Sequence, residues 1–285
     1  MVAVALALAS AALFGLLSVT LRYALRRTPD AEVGALVTGI VGLAVCGGIA
    51  LAGGEWSGDP WPFLLAGIFA PGCSQIFFVL GVREAGPSRT SVVVGIAPLV
   101  SVAIALVLLH EPVRIVLLLG ALLIVLGGLA LAGEPERPET FRSIGLLFAF
   151  ASAAFFATRD NIVRWLFTDV TVAPQLAATA TLVSGSAVMT AYLLVRRGPT
   201  FGPALRRALL PFAPSGLVWG LSYAALFEAF SRARVTIVSP LVATESLFGV
   251  LAATLLLRKS ERISRHLVIG ALLIDAGGAL ISAFR

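Results

Sequence analysis

The chain has 285 residues, of which 59% are hydrophobic and only 13% are charged, with a formal net charge of +6. So few charges cannot cover the apolar surface of a soluble domain of this length, which excludes a soluble globular protein. Basic residues in membrane proteins mostly set orientation, so the positive charge does not indicate a nucleic-acid partner.

Apolar runs of about 20 residues, each able to cross a hydrocarbon core of about 30 Å, recur along the chain and predict an all-α polytopic membrane protein. The first run begins at residue 2 with no basic segment before it, so we expect a retained spanning helix and not a signal peptide. We predict ten transmembrane helices at residues 2–25, 33–52, 62–82, 90–109, 113–132, 143–166, 172–195, 208–230, 235–257 and 266–284.

Residues near the end of the first half of the sequence recur near the end of the second half. The residues GALLI at 120–124 recur at 270–274, and the glycine pair at 127–128 recurs at 277–278. Such a match indicates an internal duplication. Glycines in this pattern allow helices to approach closely, so we expect tight packing of the fifth and tenth helices.

The duplication divides the chain into two five-helix repeats, 1–132 and 143–285, joined by an acidic, proline-bearing linker at 133–142. Because five is odd, the second repeat must enter the membrane from the opposite face, which predicts an inverted repeat. Most Lys and Arg residues lie in the loops after odd-numbered helices, so the positive-inside rule puts both termini outside the cell. We expect a multi-pass protein of the cell (inner or plasma) membrane.

Several small, apolar and loop residues accompany this layout: Phe14-Gly15 followed by Arg22, Pro98 followed by Glu111, and Gly120 with Gly127. Together with the ten-helix duplication, they resemble the EamA family of the drug/metabolite transporter superfamily. The resemblance implies a transporter that exports small organic metabolites, amino acids or related compounds first, by alternating access around a midplane cavity. The chain departs from the pattern in its ninth helix, where Phe248 occupies the position matching Pro98 and the proline lies earlier, at Pro240.

The expected partners are a small-molecule substrate and the lipid bilayer, and the chain is expected to be a monomer or a homodimer. We predict no cofactor and leave proton coupling open. A lipid flippase-like protein or a non-transporting membrane subunit of the same fold is the alternative. A laterally open cavity favours lipid movement, whereas a closed midplane cavity favours a soluble solute.

Enzymatic activity and a metal site are not expected. The two histidines, His110 and His266, lie at the ends of spans, and no zinc-protease, phosphate-loop or nucleophile-elbow motif occurs. Cys46 and Cys73 fall inside apolar runs and indicate neither a disulfide framework nor a metal site.

Glu245 is the leading candidate for a transport residue because it lies near the middle of the ninth predicted helix, after Pro240. A carboxylate deep in the membrane is costly and is a functional candidate by default. We predict that Glu245 faces the cavity and either carries a proton or pairs with a substrate cation. The alternative is a structural contact with an arginine, serine or threonine. Asp275, central in the tenth helix, is more readily a structural contact than a transport residue.

Arg159 and Asn161 of the sixth helix are candidates to contact an anionic or amide group of the substrate. Asp160 and Arg164 have the spacing of a favourable acid-to-base pair, which is the structural alternative for this segment. Five further residues could line the cavity, namely Gln75, Tyr223, Trp219, Phe14 and Phe156. Two of them, Gln75 and Tyr223, could equally hydrogen-bond a neighbouring helix, whereas ordinary helix packing is the favoured explanation for each of the three aromatic wall residues.

Overall fold

The computed structural model describes residues 2–54, 56–97, 99–100, 104, 115–132, 141–233, 238, 241–242, 244–257 and 264–284. Its helices are α1 (Val2–Arg27), α2 (Ala31–Gly53), α3 (Trp61–Gly67), α4 (Ser74–Ala85), α5 (Pro87–Val94), α6 (Ile115–Ala132), α7 (Ile144–Asp169), α8 (Pro174–Arg197), α9 (Phe201–Arg232), α10 (Glu245–Leu256) and α11 (Arg265–Phe284). A π-helical segment, Ile68–Cys73, joins α3 to α4, and a single 3-10 turn, Gly198–Thr200, joins α8 to α9.

Five helical stretches of the described chain are long and apolar enough to cross a membrane: Val2–Arg27, Ala31–Gly53, Trp61–Ala85, Ile144–Phe167 and Pro174–Arg232. A helix satisfies its own backbone hydrogen bonds and is therefore suited to span a bilayer. These features fit the predicted polytopic helical membrane protein. The eighth predicted span, 208–230, lies inside α9, which begins earlier, at Phe201, and carries Arg206 and Arg207 before the apolar run.

The third predicted span, 62–82, is helical but is interrupted in its middle. Ala70 has the extended conformation φ −142°, ψ 117°, and Pro71, joined to it by a cis peptide bond, cannot donate a backbone hydrogen bond. Two more helices stop or start inside predicted spans. Helix α5 ends at Val94 before a turn at Gly95, and α10 begins at Glu245 after a turn closed by Thr244 N–H and Leu241 O.

These interruptions matter because a bilayer offers no hydrogen bonds to a broken helix. Irregular backbone at membrane depth is tolerated only where it is buried in protein or lines a cavity. The ends of α5 and α10 contact each other directly, since a Cβ built on Gly95 would lie 3.2 Å from the Cβ of Ser246. A polar site is therefore best accommodated where the ends of α5 and α10 meet.

Serine side chains join the helices that surround this region. Ser10 of α1 and Ser222 of α9 each donate from their hydroxyl to the other's carbonyl oxygen, at 2.9 and 2.8 Å. Ser152 of α7 donates to the carbonyl of Ser74 in α4 at 3.0 Å. Small polar residues of this kind allow close approach and add interhelical hydrogen bonds where lipid provides no hydrophobic driving force.

Helices α6 and α11 pack closely through the glycines that the sequence repeats. A Cβ on Gly127 would lie 2.7 Å from the carbonyl oxygen of Gly270, and a Cβ on Gly277 would lie 2.5 Å from that of Gly120. The structure thus confirms that these glycines permit close packing. The two contacts join equivalent positions of the two sequence repeats reciprocally, as a local two-fold relation requires.

We expect Gly127→Ala to lower the free energy of unfolding by about 1–3 kcal/mol, because the added methyl group meets backbone that cannot turn aside. Gly48→Ala in α2 is the matched control, because no atom lies within 4 Å of a Cβ at that position. There the intrinsic preference for Ala in helices favours the variant by about 1 kcal/mol. Thermal unfolding of both variants in the same detergent measures the difference, and equal stabilities would contradict the close packing of α6 and α11.

Candidate functional site

A buried arginine connects the broken third span to helices α7 and α9. Arg159 is 3% exposed, and its guanidinium Nη1 donates to the hydroxyl oxygen of Tyr223, which itself donates to the carbonyl oxygen of Ala70 at 3.2 Å. The carbonyl released at the break is therefore satisfied by a side chain of the second half of the chain. Arg159 and the backbone of the break thus contact the same hydroxyl group, that of Tyr223.

Asp160 supplies the negative charge beside Arg159. The Nε of Arg159 lies 2.7 Å from Oδ1 of Asp160, but the pair lacks hydrogen-bond geometry because consecutive residues diverge around a helix. The Asp160 side chain remains 31% exposed, whereas that of Arg159 is 4% exposed. Asp160 thus compensates Arg159 electrostatically while keeping access to the space beside it. The side chain of Arg164, its predicted partner, lies outside the described residues.

Aromatic rings surround the guanidinium and continue toward α1. The Cζ of Arg159 lies 4.9 Å from the ring centroid of Tyr223 and 5.6 Å from that of Phe156. The Phe156 ring contacts Phe14 at 5.6 Å, and Phe14 contacts Phe78 at 5.2 Å. The structure therefore brings together Phe14, Phe156, Arg159 and Tyr223 of the predicted site. Cation–π contacts of this kind stabilise a desolvated cation by about 2 kcal/mol.

Trp219 is fully buried but belongs mainly to the packing of α9 on α2. A Cβ on Gly42 of α2 would lie 3.3 Å from its Cε3 atom, and its ring meets Tyr223 edge-on at 5.3 Å. Its Nε1 donor has no hydrogen-bond partner among the described residues. The Trp219 ring therefore packs edge-on against Tyr223, and its Nε1–H group has no acceptor among the described residues.

Gln75, one turn after the break in the third span, is fully buried. Neither its Nε2 nor its Oε1 atom has a hydrogen-bond partner within the described part of the chain, and the same holds for Oγ of Ser74. Buried polar groups are satisfied in the great majority of proteins, so unsatisfied ones call for water or a ligand. The start of α4 thus holds three buried polar atoms whose hydrogen bonds the described residues do not supply.

Glu245 is 8% exposed and is the first residue of α10. Its carboxylate makes no hydrogen bond or ion pair with any described residue, yet it lies close enough to Asp160, Asp275 and Arg159 to experience their charges. The N-terminus of α10 favours a negative charge there. The structural contact that sequence reasoning offered as the alternative is absent from the described residues.

Asn161 is placed differently from the other candidates. Its side-chain Nδ2 donates to the carbonyl of Ala157 in its own helix at 2.7 Å. Its role toward a substrate stays a prediction. Pro98, Glu111 and Pro240, which entered the sequence comparison of the two halves, lie outside the described residues.

The sequence reasoning missed two contributors to the site. The first is the carbonyl of Ala70, whose signal was the Pro71-Gly72 pair inside an apolar run. The second is Phe78, which contacts Phe14 and Phe156, whereas its neighbour Phe77 stacks against Phe155 at 5.8 Å. Within the described residues, no group of three or more His, Cys, Asp or Glu side chains is arranged to hold a metal ion.

Interrupted apolar helices that meet around buried charged and unsatisfied polar groups are typical of membrane transporters. The chain belongs to the EamA-like transporter family, whose family model matches residues 1–132 and again residues 143–283. The resemblance to the EamA family of the drug/metabolite transporter superfamily is thereby confirmed.

One solved crystal structure of a protein is similar to 98% of this chain and 94% of its own chain, with 21% sequence identity and a TM-score of 0.66. At that identity the likeness shows the fold alone. A search among curated proteins gives no match.

Proposed function

We propose that this protein is a secondary transporter that exports small organic metabolites carrying a protonated amine. Amino acids are the leading candidates for its substrate. The observation that carries the proposal is the unpaired, almost buried carboxylate of Glu245 beside the Arg159–Asp160 ion pair. Among the described side chains, Arg159 and Asp160 balance each other, so no described cation is left to pair with Glu245. A buried charge requires a partner of opposite sign, and an ammonium group of the substrate supplies it.

The other end of such a solute is accommodated by the surroundings of Arg159. The exposed side of Asp160 and the unsatisfied amide of Gln75 offer polar contacts, while Phe14 and Phe156 offer an apolar wall. Pockets for small molecules are mostly apolar with a few convergent polar groups. An amino acid, with its ammonium group and carboxylate close together on one carbon, matches this combination.

The mechanism that accompanies the proposal is alternating access by two inverted five-helix repeats with a midplane site between them. The two matches of the family model and the reciprocal glycine contacts of α6 and α11 support that arrangement. The termini then lie outside the cell, as the distribution of Lys and Arg in the loops indicates.

The test compares amino acids and other metabolites inside and outside cells that express the protein with those of cells carrying an empty vector. We expect one class of amine-bearing metabolites to appear outside only when the protein is present. Purified protein in liposomes is then assayed for exchange of tritiated amino acids. No difference from the empty vector, together with no exchange in liposomes, would overturn the proposal.

Lipid movement is the second candidate, and the same liposomes test it with a fluorescent lipid whose outer-leaflet label is quenched by a reductant. The unsatisfied polar groups of Ser74 and Gln75 favour a water-soluble solute. We therefore expect the protein to leave the labelled lipid in its original leaflet.

A further inference from the structure

A second buried acid, Asp275 of α11, lies outside the set of residues proposed above to contact the substrate. It is 7% exposed, and its Oδ1 accepts a hydrogen bond from the hydroxyl of Ser246, while its Oδ2 is buried without a partner among the described residues. The backbone N–H of Leu247 interacts with the same carboxylate. Ser246 and Leu247 belong to the first turn of α10, so Asp275 caps the half-helix that begins with Glu245.

The helices packed around Asp275 bring no described cation to it. Helix α6, which makes the most extensive contact with α11, contains no titratable residue along Ile115–Ala132. Helix α5 has only Arg89, in its first turn, whereas its opposite end at Gly95 approaches Ile274 and Ser246.

The charged residues of α11 and α10 complete the surroundings of Asp275. On α11 itself, Arg265 and His266 precede Asp275 by nine or ten positions, about 14–15 Å along the helix. On α10 the only titratable residue is Glu245, which lies close enough to experience the charge of Asp275. The charged side chain nearest to the first turn of α10 is therefore another carboxylate, Glu245, which directly precedes the Ser246 that contacts Asp275.

Two carboxylates held close together at membrane depth cannot both ionise without a large electrostatic cost. Ser246 and the N-terminus of α10 stabilise the anion at Asp275, but they supply no positive ion. A proton taken from water removes the remaining charge and is released again when the carboxyl group regains its contact with α10. The step consists of binding and release of one proton by the carboxyl group.

We infer that Asp275 is the proton-binding site that couples transport to a proton gradient through the first turn of α10. This inference rests on the proposed transport function. The ionised carboxylate holds Ser246 and Leu247 and so fixes the start of α10, whereas the neutral acid accepts these hydrogen bonds more weakly and lets α10 move against α11. Glu245, the first residue of the same helix, moves with it, so the substrate site responds to the protonation of Asp275.

The duplication adds an independent argument. The residue of α6 that matches Asp275 is Val125, and the residue that matches Ser246 is Ile96, so the equivalent contact does not exist in the first half. The acid therefore does not belong to the close packing that the two repeats share. The inference assigns one coupled proton to Asp275.

Purified protein in liposomes tests the inference with tritiated amino acids as the probe. One coupled proton and a gradient of about one pH unit support about tenfold accumulation. We expect the wild type to accumulate label under a pH gradient of one polarity. The Asp275→Asn variant, which keeps an acceptor for Ser246, should exchange label but accumulate none. Ser246→Ala keeps the titratable group but removes its hydroxyl contact with α10, so this variant should exchange label and accumulate less of it than the wild type.

Accumulation by Asp275→Asn at the wild-type level would overturn the inference, as would undiminished accumulation by Ser246→Ala. If the wild type exchanges no label, the proposed transport function fails, and a second measurement still decides the role of Asp275. Treatment of the wild type with a membrane-permeant carbodiimide, followed by peptide mass spectrometry, should modify Asp275 more at acidic than at alkaline pH. Modification of Glu245 without modification of Asp275 would overturn the inference even if the asparagine variant failed to fold.

Discussion

The Glu245→Gln variant is expected to lose export and exchange of the amine-bearing substrate while folding normally. The side chain keeps its size, and the glutamate makes no hydrogen bond with a described residue that the change would remove. The substitution removes the negative charge that is proposed to pair with the ammonium group of the substrate. Removing one partner of a buried charge pair costs about 2–5 kcal/mol, which corresponds to a loss of about 30-fold or more.

Stability separates this effect from misfolding. Glu245 lies near two further carboxylates, Asp160 and Asp275, so neutralising it relieves repulsion in the folded protein. We therefore expect the purified variant to unfold at a temperature equal to or above that of the wild type. Such an opposition between stability and activity is common where a site holds an uncompensated group.

A matched control is available at the end of α9. Glu228 forms an i, i+4 ion pair with Arg232, and its Oε2 accepts a hydrogen bond from Nε2 of Gln175 at 3.4 Å, which a glutamine side chain can also accept. Glu228→Gln also removes one carboxylate but leaves the site unchanged, so transport should persist. Full export by Glu245→Gln, at an expression level equal to that of the wild type, would remove Glu245 from the mechanism.

The five long apolar helical stretches of the described chain could be predicted from the sequence because they depend on length and apolar composition, which each segment carries by itself. The contact of α6 with α11 could also be predicted, since glycines repeated at 120, 127, 270 and 277 have few other uses in apolar helices. The third predicted span shows the limit of this reasoning. Its apolar run continues through Ala70, but the backbone does not remain helical there.

The composition of the site depends on how each helix is rotated, which hydropathy does not encode when a helix is apolar on all sides. Phe77 and Phe78 are equivalent in the sequence, yet only Phe78 contacts Phe14 and Phe156. Arg159 and Asp160 diverge around α7, but the length and flexibility of the arginine allow it to reach both Asp160 and Tyr223. Contacts between side chains far apart in sequence, such as Ser246 with Asp275, could not be predicted from either segment alone.

Replacing Arg159 is expected to affect both the fold and transport, and a double variant separates the two. Arg159→Leu removes the ion pair with Asp160 and the donor to Tyr223, while the apolar side chain still fills part of the space beside Phe156. Asp160 is then left without its compensating charge. Because its side chain is 31% exposed, we expect a loss of stability of about 1–3 kcal/mol, below the cost of breaking a fully buried pair.

The variant Arg159→Leu with Asp160→Leu removes both charges together. Replacing a whole buried ion pair by apolar residues is often neutral or stabilising, so the thermal stability should return to near the wild-type value. We expect transport not to return, because the proposed site has lost both the guanidinium and the hydrogen bond from Arg159 to Tyr223, whose hydroxyl contacts Ala70. Recovery of exchange in the double variant would mean that Arg159 acts only to neutralise Asp160. A stable but inactive double variant would mean that the guanidinium itself serves the substrate, and that the connection from α7 to the break in the third span belongs to the transport site.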